Sequence, residues 1–140
     1  MKTGDIAPDF ELPDQTGTLR KLSDYTAEGR VVLFFYPAAM TYGCTKESCH
    51  FRDLAAEFAE VKAQRIGISA DQVDKQHQFA DKHALDFPLL SDPDREVAKA
   101  FGVKQRHALV EVLLRAVQLS PEAERERLGL MGLHQQVLVL

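Results

Sequence analysis

The chain has 140 residues, of which 45% are hydrophobic and 27% charged, and a formal net charge of -4. These values fit one globular domain with room for a single sizeable core. The acidic balance, and the lack of any Lys/Arg cluster with interleaved aromatics, speak against a nucleic-acid partner. No run reaches the roughly 20 apolar residues that cross a bilayer. No apolar h-region follows Met1-Lys2-Thr3-Gly4-Asp5, so the expectation is a cytoplasmic protein without a membrane partner.

Near the start, Phe10 and Leu12 alternate with Asp9 and Glu11, the pattern of a short strand. Asp14-Gln15-Thr16-Gly17 carries turn chemistry, and residues 18–22 return as the second arm of a hairpin. Ser23 and Asp24 open a brief helical turn that Gly29 ends. Residues 31–36 form a continuous apolar run rich in β-branched and aromatic side chains. Such a run predicts a strand buried on both faces, as in a parallel sheet, and Pro37 ends it.

From about Cys44, apolar residues recur at Phe51, Leu54, Ala55, Phe58 and Val61, the stripe of one long amphipathic helix. Residues 65–70 read as a second buried strand, and 71–83 as a helix with Val73, Phe79 and Ala80 inward. Residues 86–90 read as a short third strand, ended by Ser91-Asp92-Pro93-Asp94. The acids there can cap a helix over 95–101, with Gly102 as its stop. This alternation of strand and helix predicts an α/β fold: a mostly parallel central sheet flanked by helices.

Cys44 and Cys49 are the only cysteines in the chain, and both fall where the first long strand hands over to a helix. Cys44, seven residues before Phe51, lies near the core-facing stripe, whereas Cys49 lies well off it. A helix N-terminus carries partial positive charge and favours thiolate over thiol, and the thiolate is the nucleophile. One free cysteine alone would read as a small core residue. Two at one such junction, in a reducing compartment, point to redox chemistry rather than a structural staple. Five residues of ideal helix separate the two Cα atoms by roughly 8–9 Å, beyond the reach of about 7 Å that a disulfide allows. The pair can therefore bond only if that part of the helix unwinds, which suits a switch.

Other chemistries fit less well. Cys44, Cys49 and His50 offer three ligands where structural zinc takes four, and no second Cys/His cluster accompanies them, so no metal is expected. The C-x-x-C spacing of a general disulfide reductase is absent. His77, His83, His107 and His134 read as surface residues.

Phe35-Tyr36-Pro37, then Thr41-x-x-Cys44-Thr45-Lys46-Glu47-x-Cys49-x-Phe51-Arg52-Asp53, resembles the peroxidatic loop and helix of a peroxiredoxin. The bacterioferritin comigratory protein subgroup, PrxQ, is the most similar. Ala7-Pro8-Asp9-Phe10, Gly67-Ile68-Ser69-Ala70-Asp71, Phe87-Pro88-Leu89-Leu90-Ser91-Asp92 and Ala100-Phe101-Gly102-Val103-Lys104 extend the likeness over about three quarters of the chain. The resemblance implies a thioredoxin-like fold and a thioredoxin-dependent peroxidase of hydrogen peroxide and organic hydroperoxides. It implies that Cys44 is the peroxidatic nucleophile and that Cys49 resolves its sulfenic acid to an intramolecular disulfide, which thioredoxin or a similar dithiol reduces. Thr41 would turn its hydroxyl toward the thiolate or the peroxide, and Pro37 would shield the pocket. Without the family, Thr41 is equally a helix-start residue and Pro37 a strand stop. No cofactor is implied, and the chain is expected to be a monomer or weak homodimer.

Two departures from the family stand out. Tyr42 occupies a position where the family usually has proline. After Lys104 the family continues with two antiparallel strands and a closing helix, the first strand bearing an arginine that pairs with the peroxidatic thiolate. Here residues 105–117 read instead as an apolar helix, and neither Arg106 nor Arg115 matches the motif. Beyond Asp94 there is no Asp, and beyond Phe101 no Phe, Ile, Thr or Tyr. The reading is a peroxiredoxin domain over 1–104, followed by a divergent segment over 105–140 that suggests a frame change or gene truncation, the alternative being a divergent C-terminus that packs as helices. The alternative function is an impaired, redox-sensing or binding relative. Loss of the strand pair predicts an uncovered sheet edge.

Overall fold

The computed structural model describes residues 5–103 and 136–139. Its first elements are a hairpin of β1 (Glu11–Pro13) and β2 (Leu19–Lys21), followed by α1 (Leu22–Glu28). The hairpin turn is organised by Asp14, whose carboxylate accepts the Thr16 and Thr18 N–H groups at 2.8 and 3.1 Å and pairs with Arg20 Nε at 2.8 Å. Gly17 takes the left-handed backbone, φ 82°, that the turn requires.

A second sheet carries the core. β3 (Arg30–Phe35) lies parallel to β4 (Ala63–Ser69), which lies parallel to β5 (Leu89–Ser91), and β6 (Gln136–Val139) pairs antiparallel on the other side of β3. The strand order is β5-β4-β3-β6. Helices α2 (Tyr42–Asp53), α3 (Ala55–Glu60), α4 (Val73–His83) and α5 (Glu96–Ala100) complete the alternation. Period-two alternation along β3 divides the core between two faces. Val32, Phe34 and Tyr36 pack with Phe51, Phe58 and Phe79 from α2, α3 and α4. Val31, Leu33 and Phe35 pack with Leu22, Val97 and Phe101 on the opposite face. The result is the expected α/β layering with a mostly parallel sheet, and the fold is thioredoxin-like.

The structure differs from the sequence reading in several places. The helix expected from Cys44 through Val61 is two helices that meet at Leu54, which leaves the helical region at φ -88°, ψ 18°. The cause is a distant side chain: Arg65 Nη1 donates to the Phe51 carbonyl at 2.6 Å and to the Arg52 carbonyl at 3.4 Å, drawing on the last carbonyls of α2. The third strand begins at Leu89 rather than at 86, since Pro88 has no N–H to give a ladder. In α4 it is Gln76, not Val73, that is fully buried beside Phe79 and Ala80. The edge of β3 expected to lie open is covered by β6. The helix expected over 105–117, with Arg106, Arg115, His107 and His134, lies outside the described residues.

The helix stop and cap follow the expectation. Asp92 accepts the Val97 and Ala98 N–H groups at 3.4 and 2.9 Å. Gly102, at φ 72°, ends the segment.

Candidate active site

β3 delivers the chain to the site. Its ladder continues one residue past the strand, where the Tyr36 N–H donates to the Ile68 carbonyl at 3.0 Å. Pro37 is exposed and removes the next donor. The following loop turns through Met40 at φ 68°, a left-handed conformation that costs a residue with a side chain about 1–3 kcal/mol. Thr41 then sits at the N-cap of α2 in extended backbone, and its carbonyl accepts the first helical bond from the Thr45 N–H at 2.9 Å.

Cys44 is the third residue of α2 and is buried, at 4% exposure, in the same apolar cluster as Tyr36, Ala39 and Phe51. It thus lies within the first helical turn, where N–H groups lack an internal acceptor and the helix end carries its positive partial charge. Cys49 lies on the same helix, is half-buried, and is not bonded to Cys44. Five residues of intact α2, about 1.4 turns, hold the thiols apart, so a bond between them requires local unwinding.

Pro37, Thr41, Cys44 and Cys49, the residues singled out from the sequence, all lie between the end of β3 and the middle of α2, though not in one environment. Pro37 and Thr41 are exposed, whereas Cys44 is buried. The Thr41 hydroxyl donates to the Ala38 carbonyl at 3.1 Å, so it braces its own loop while its lone pairs stay available as acceptors. Met40 and Tyr42 are exposed apolar side chains flanking it, at 36% and 87%. A Cβ built on Gly43 meets nothing within 4 Å, so that exposed position in the first turn of α2 faces open space.

The surroundings of the loop contain polar side chains that the sequence reading did not single out. Asp71 Oδ2 accepts the Ala39 N–H at 2.6 Å and the Ser69 hydroxyl at 2.8 Å. Buried Gln76 donates from Nε2 to Ser69 Oγ and to the Leu90 carbonyl, both at 3.0 Å, and accepts the Tyr36 hydroxyl. Burial pushes the Tyr36 phenol well above its ordinary pKa, outweighing its bonds with Ser69 and Gln76, so it remains a neutral donor. The signal for Gln76 is a polar residue on the inward stripe of α4, three before Phe79; Asp71 falls in the 67–71 stretch that resembles the family, but its bond to Ala39 has no local signal because the partner is 32 residues away.

On the far end of α2, Arg52 pairs with Asp53 at 2.9 Å and donates to the His83 carbonyl. Its guanidinium is held above its ordinary pKa first by the Asp53 hydrogen bond and further by attraction to Cys49. His50 is half-buried and His77 is exposed, the latter 3.2 Å from Asp81. His83 is half-buried with its ring edge-on to Phe79, so it is not the plain surface histidine expected. Among the described residues no group of three or more His, Cys, Asp or Glu is placed to hold a metal ion. No described helix is long and apolar enough to cross a membrane.

Residues 3–123 match the AhpC/TSA family. A Mycobacterium tuberculosis protein named as a peroxiredoxin is 67% identical over 105 residues, which is 75% of this chain and 68% of that protein. The solved structure of peroxidoxin BcpB from Mycobacterium tuberculosis superposes with a TM-score of 0.73 at 65% identity, over 76% of this chain and 70% of that one. The bacterioferritin comigratory protein of Xanthomonas campestris, described with its alkyl peroxide reduction activity, gives a TM-score of 0.66 at 34% identity, over 69% of this chain and 60% of that one.

Proposed function

This chain belongs to the AhpC/TSA family, in the bacterioferritin comigratory (PrxQ) branch of the peroxiredoxins, and from that premise we propose that it reduces hydroperoxides through Cys44. As a peroxiredoxin it is a peroxidase that takes a peroxide and a thiol reductant. In the proposed cycle the Cys44 thiolate attacks the distal peroxide oxygen. The S–O bond forms as the O–O bond breaks, and the leaving alkoxide or hydroxide takes a proton to depart as alcohol or water. Cys44 is then a sulfenic acid. The Cys49 sulfur displaces the sulfenic hydroxyl, releasing water and forming the Cys44–Cys49 disulfide. Thioredoxin or a similar dithiol reduces that bond by two thiol–disulfide exchanges and leaves as its own disulfide.

The observation that carries this reading is the burial of Cys44 in the first turn of α2, with a second, half-exposed thiol on the same helix. Burial limits water at the reacting sulfur, and the helix end supplies N–H dipoles where negative charge resides. Thr41, at the N-cap, accepts or donates at the peroxide once its bond to Ala38 is exchanged, and Pro37 covers the strand end. Organic hydroperoxides enter the proposal because of the exposed Met40 and Tyr42 on either side of Thr41 and the alkyl peroxide reduction activity of the Xanthomonas campestris relative. No cofactor is part of the cycle, and a cytoplasmic location and a monomer or weak homodimer complete the proposal.

The division of the chain into a peroxiredoxin domain over 1–104 and a divergent segment over 105–140 is likewise our proposal, supported by the change in composition. Translating the other two frames of the coding DNA beyond the Lys104 codon tests it: an arginine-bearing strand pair in one of them supports a frame change, and its absence from both overturns that origin.

Peroxide consumption coupled to thioredoxin and its reductase tests the function. Multiple turnovers are expected for the wild type, with loss of turnover in Cys44→Ser. Unchanged turnover in that variant overturns the assignment. A single stoichiometric oxidation to the disulfide, without further turnover, would make the chain a redox sensor instead.

A further inference from the structure

We propose that Asp71 is a positioning residue that clamps the loop between Pro37 and Thr41 in the conformation that presents Cys44 to a peroxide. This inference rests on the assignment of Cys44 above.

An aspartate just before a helix ordinarily caps it. Here the N-cap of α4 is Gln72, with no side-chain cap bond, and the Asp71 carboxylate is committed elsewhere. Oδ2 receives the Ala39 N–H at 2.6 Å and the Ser69 hydroxyl at 2.8 Å, while Oδ1 receives Lys75 Nζ at 2.6 Å. The Asp71 N–H in turn donates to Ser69 Oγ at 3.1 Å, and Gln76 Nε2 holds the same oxygen at 3.0 Å. The carboxylate is therefore fixed from the end of β4 and from α4, and it offers one anionic oxygen to the loop.

Ala39 is the buried point of that loop, at 2% exposure, between exposed Pro37 and exposed Met40, and it shares the apolar cluster of Cys44. The next residue, Met40, takes the left-handed turn that aims the chain into α2. A hydrogen bond from a backbone N–H to an ionised, nearly buried carboxylate is stronger than one between neutral groups. It can hold a turn that the local sequence does not favour. Resolution of the sulfenic acid makes the opposite demand, since the first turns of α2 must then open. The clamp should thus favour the first chemical step and not the second.

Three proteins decide this: the wild type, Asp71→Ala, and Asp71→Asn, whose amide oxygen still accepts from Ala39 N–H. Stopped-flow mixing with hydrogen peroxide gives the second-order rate constant and the first-order rate of disulfide formation. Amide exchange reports the Ala39 N–H. With one charge-assisted hydrogen bond removed, D71A is expected to react with peroxide about tenfold more slowly, to form the disulfide at least as fast, and to lose protection at Ala39. D71N is expected to stay within about threefold of the wild type, because the acceptor is kept. Lys75→Ala, which removes the ion pair on Oδ1 but leaves the Oδ2 bonds to Ala39 and Ser69, should slow the peroxide step by less than D71A does.

An unaltered peroxide rate in D71A, an equal fall in both steps, or a D71N as slow as D71A overturns the proposal. Should D71A not fold, Asp71→Glu replaces it with the same expectations, since the longer arm carries the carboxylate past Ala39. A wild type inert to peroxide refutes the Cys44 assignment instead. The clamp itself is then judged by Ala39 exchange, which must be faster in D71A and preserved in D71N.

Discussion

Cys44 owes its environment to side chains that each answer a separate physical demand. Tyr36 places a phenol among apolar neighbours, and the hydroxyl is accommodated because Gln76 Oε1 accepts it. Tyr36→Phe would leave that amide oxygen, on a side chain of 0% exposure, without its donor. The expected cost is about 1–3 kcal/mol, the desolvation penalty of an orphaned acceptor, read from the midpoint of denaturant unfolding. Ser48 presents the reverse case. It is fully buried on α2, and among the described residues its Oγ has no hydrogen-bond partner. Ser48→Ala should therefore be neutral or stabilising by about 1 kcal/mol, and a loss of stability would reveal a partner for that hydroxyl.

Two elements show how closely the supports of the site are fitted. A Cβ added to Gly67 in β4 would lie 2.8 Å from Phe34 Cζ, 2.9 Å from Leu89 Cδ2 and 3.1 Å from Tyr36 Cε1. Gly67→Ala should destabilise by about 1–3 kcal/mol through overpacking and disturb the ring stack of Phe34 on Phe51, whose centroids lie 4.4 Å apart. The hairpin offers a pH test. Burial alone would push the Asp14 carboxyl up, but hydrogen bonds from Thr16, Arg20 and Thr18 outweigh it and hold its pKa below the ordinary value. A depressed pKa stabilises above the unfolded value of about 3.9 and loses that contribution as pH falls through the folded one. The stability gap between wild type and Asp14→Asn should be largest near about pH 7 and shrink below about pH 3.5. A gap that is constant with pH would contradict the assignment.

The hairpin also reaches the main sheet. Gln15 Oε1 accepts the Leu89 N–H at 2.9 Å and its amide donates to the Phe87 carbonyl at 3.3 Å. This long-range side-chain pairing joins Pro88 in setting where β5 begins, and the part played by Gln15 has no signal near residues 86–90. The same holds for the break at Leu54, which depends on Arg65 arriving from β4. Where the governing interaction is local, the sequence was readable. The apolar run over 31–36, the turn at Asp14-Gln15-Thr16-Gly17, the cap at Asp92 and the stop at Gly102 all stand as their residue types predict.

At the scale of the whole molecule, the α/β order and the placement of both cysteines on one helix after β3 follow from periodicity and composition alone. The buried Gln76, the Asp71–Ala39 bond and the covering of β3 by β6 do not, because each joins segments distant in the chain. The architecture explains why the two thiols differ. One is enclosed between β3 and α2 at the start of a helix, and the other is half-open to solvent more than a turn away.

That difference is most directly tested by asking which sulfur a peroxide oxidises. Cys49→Ser, which has no resolving thiol, would be treated with one equivalent of hydrogen peroxide in the presence of a sulfenic-acid-specific probe, and the adduct located by peptide mass spectrometry. The prediction is a single adduct on Cys44, and none in the Cys44→Ser protein treated alike. An adduct on Cys49 in Cys44→Ser of comparable yield, or no adduct on Cys44, would contradict the account.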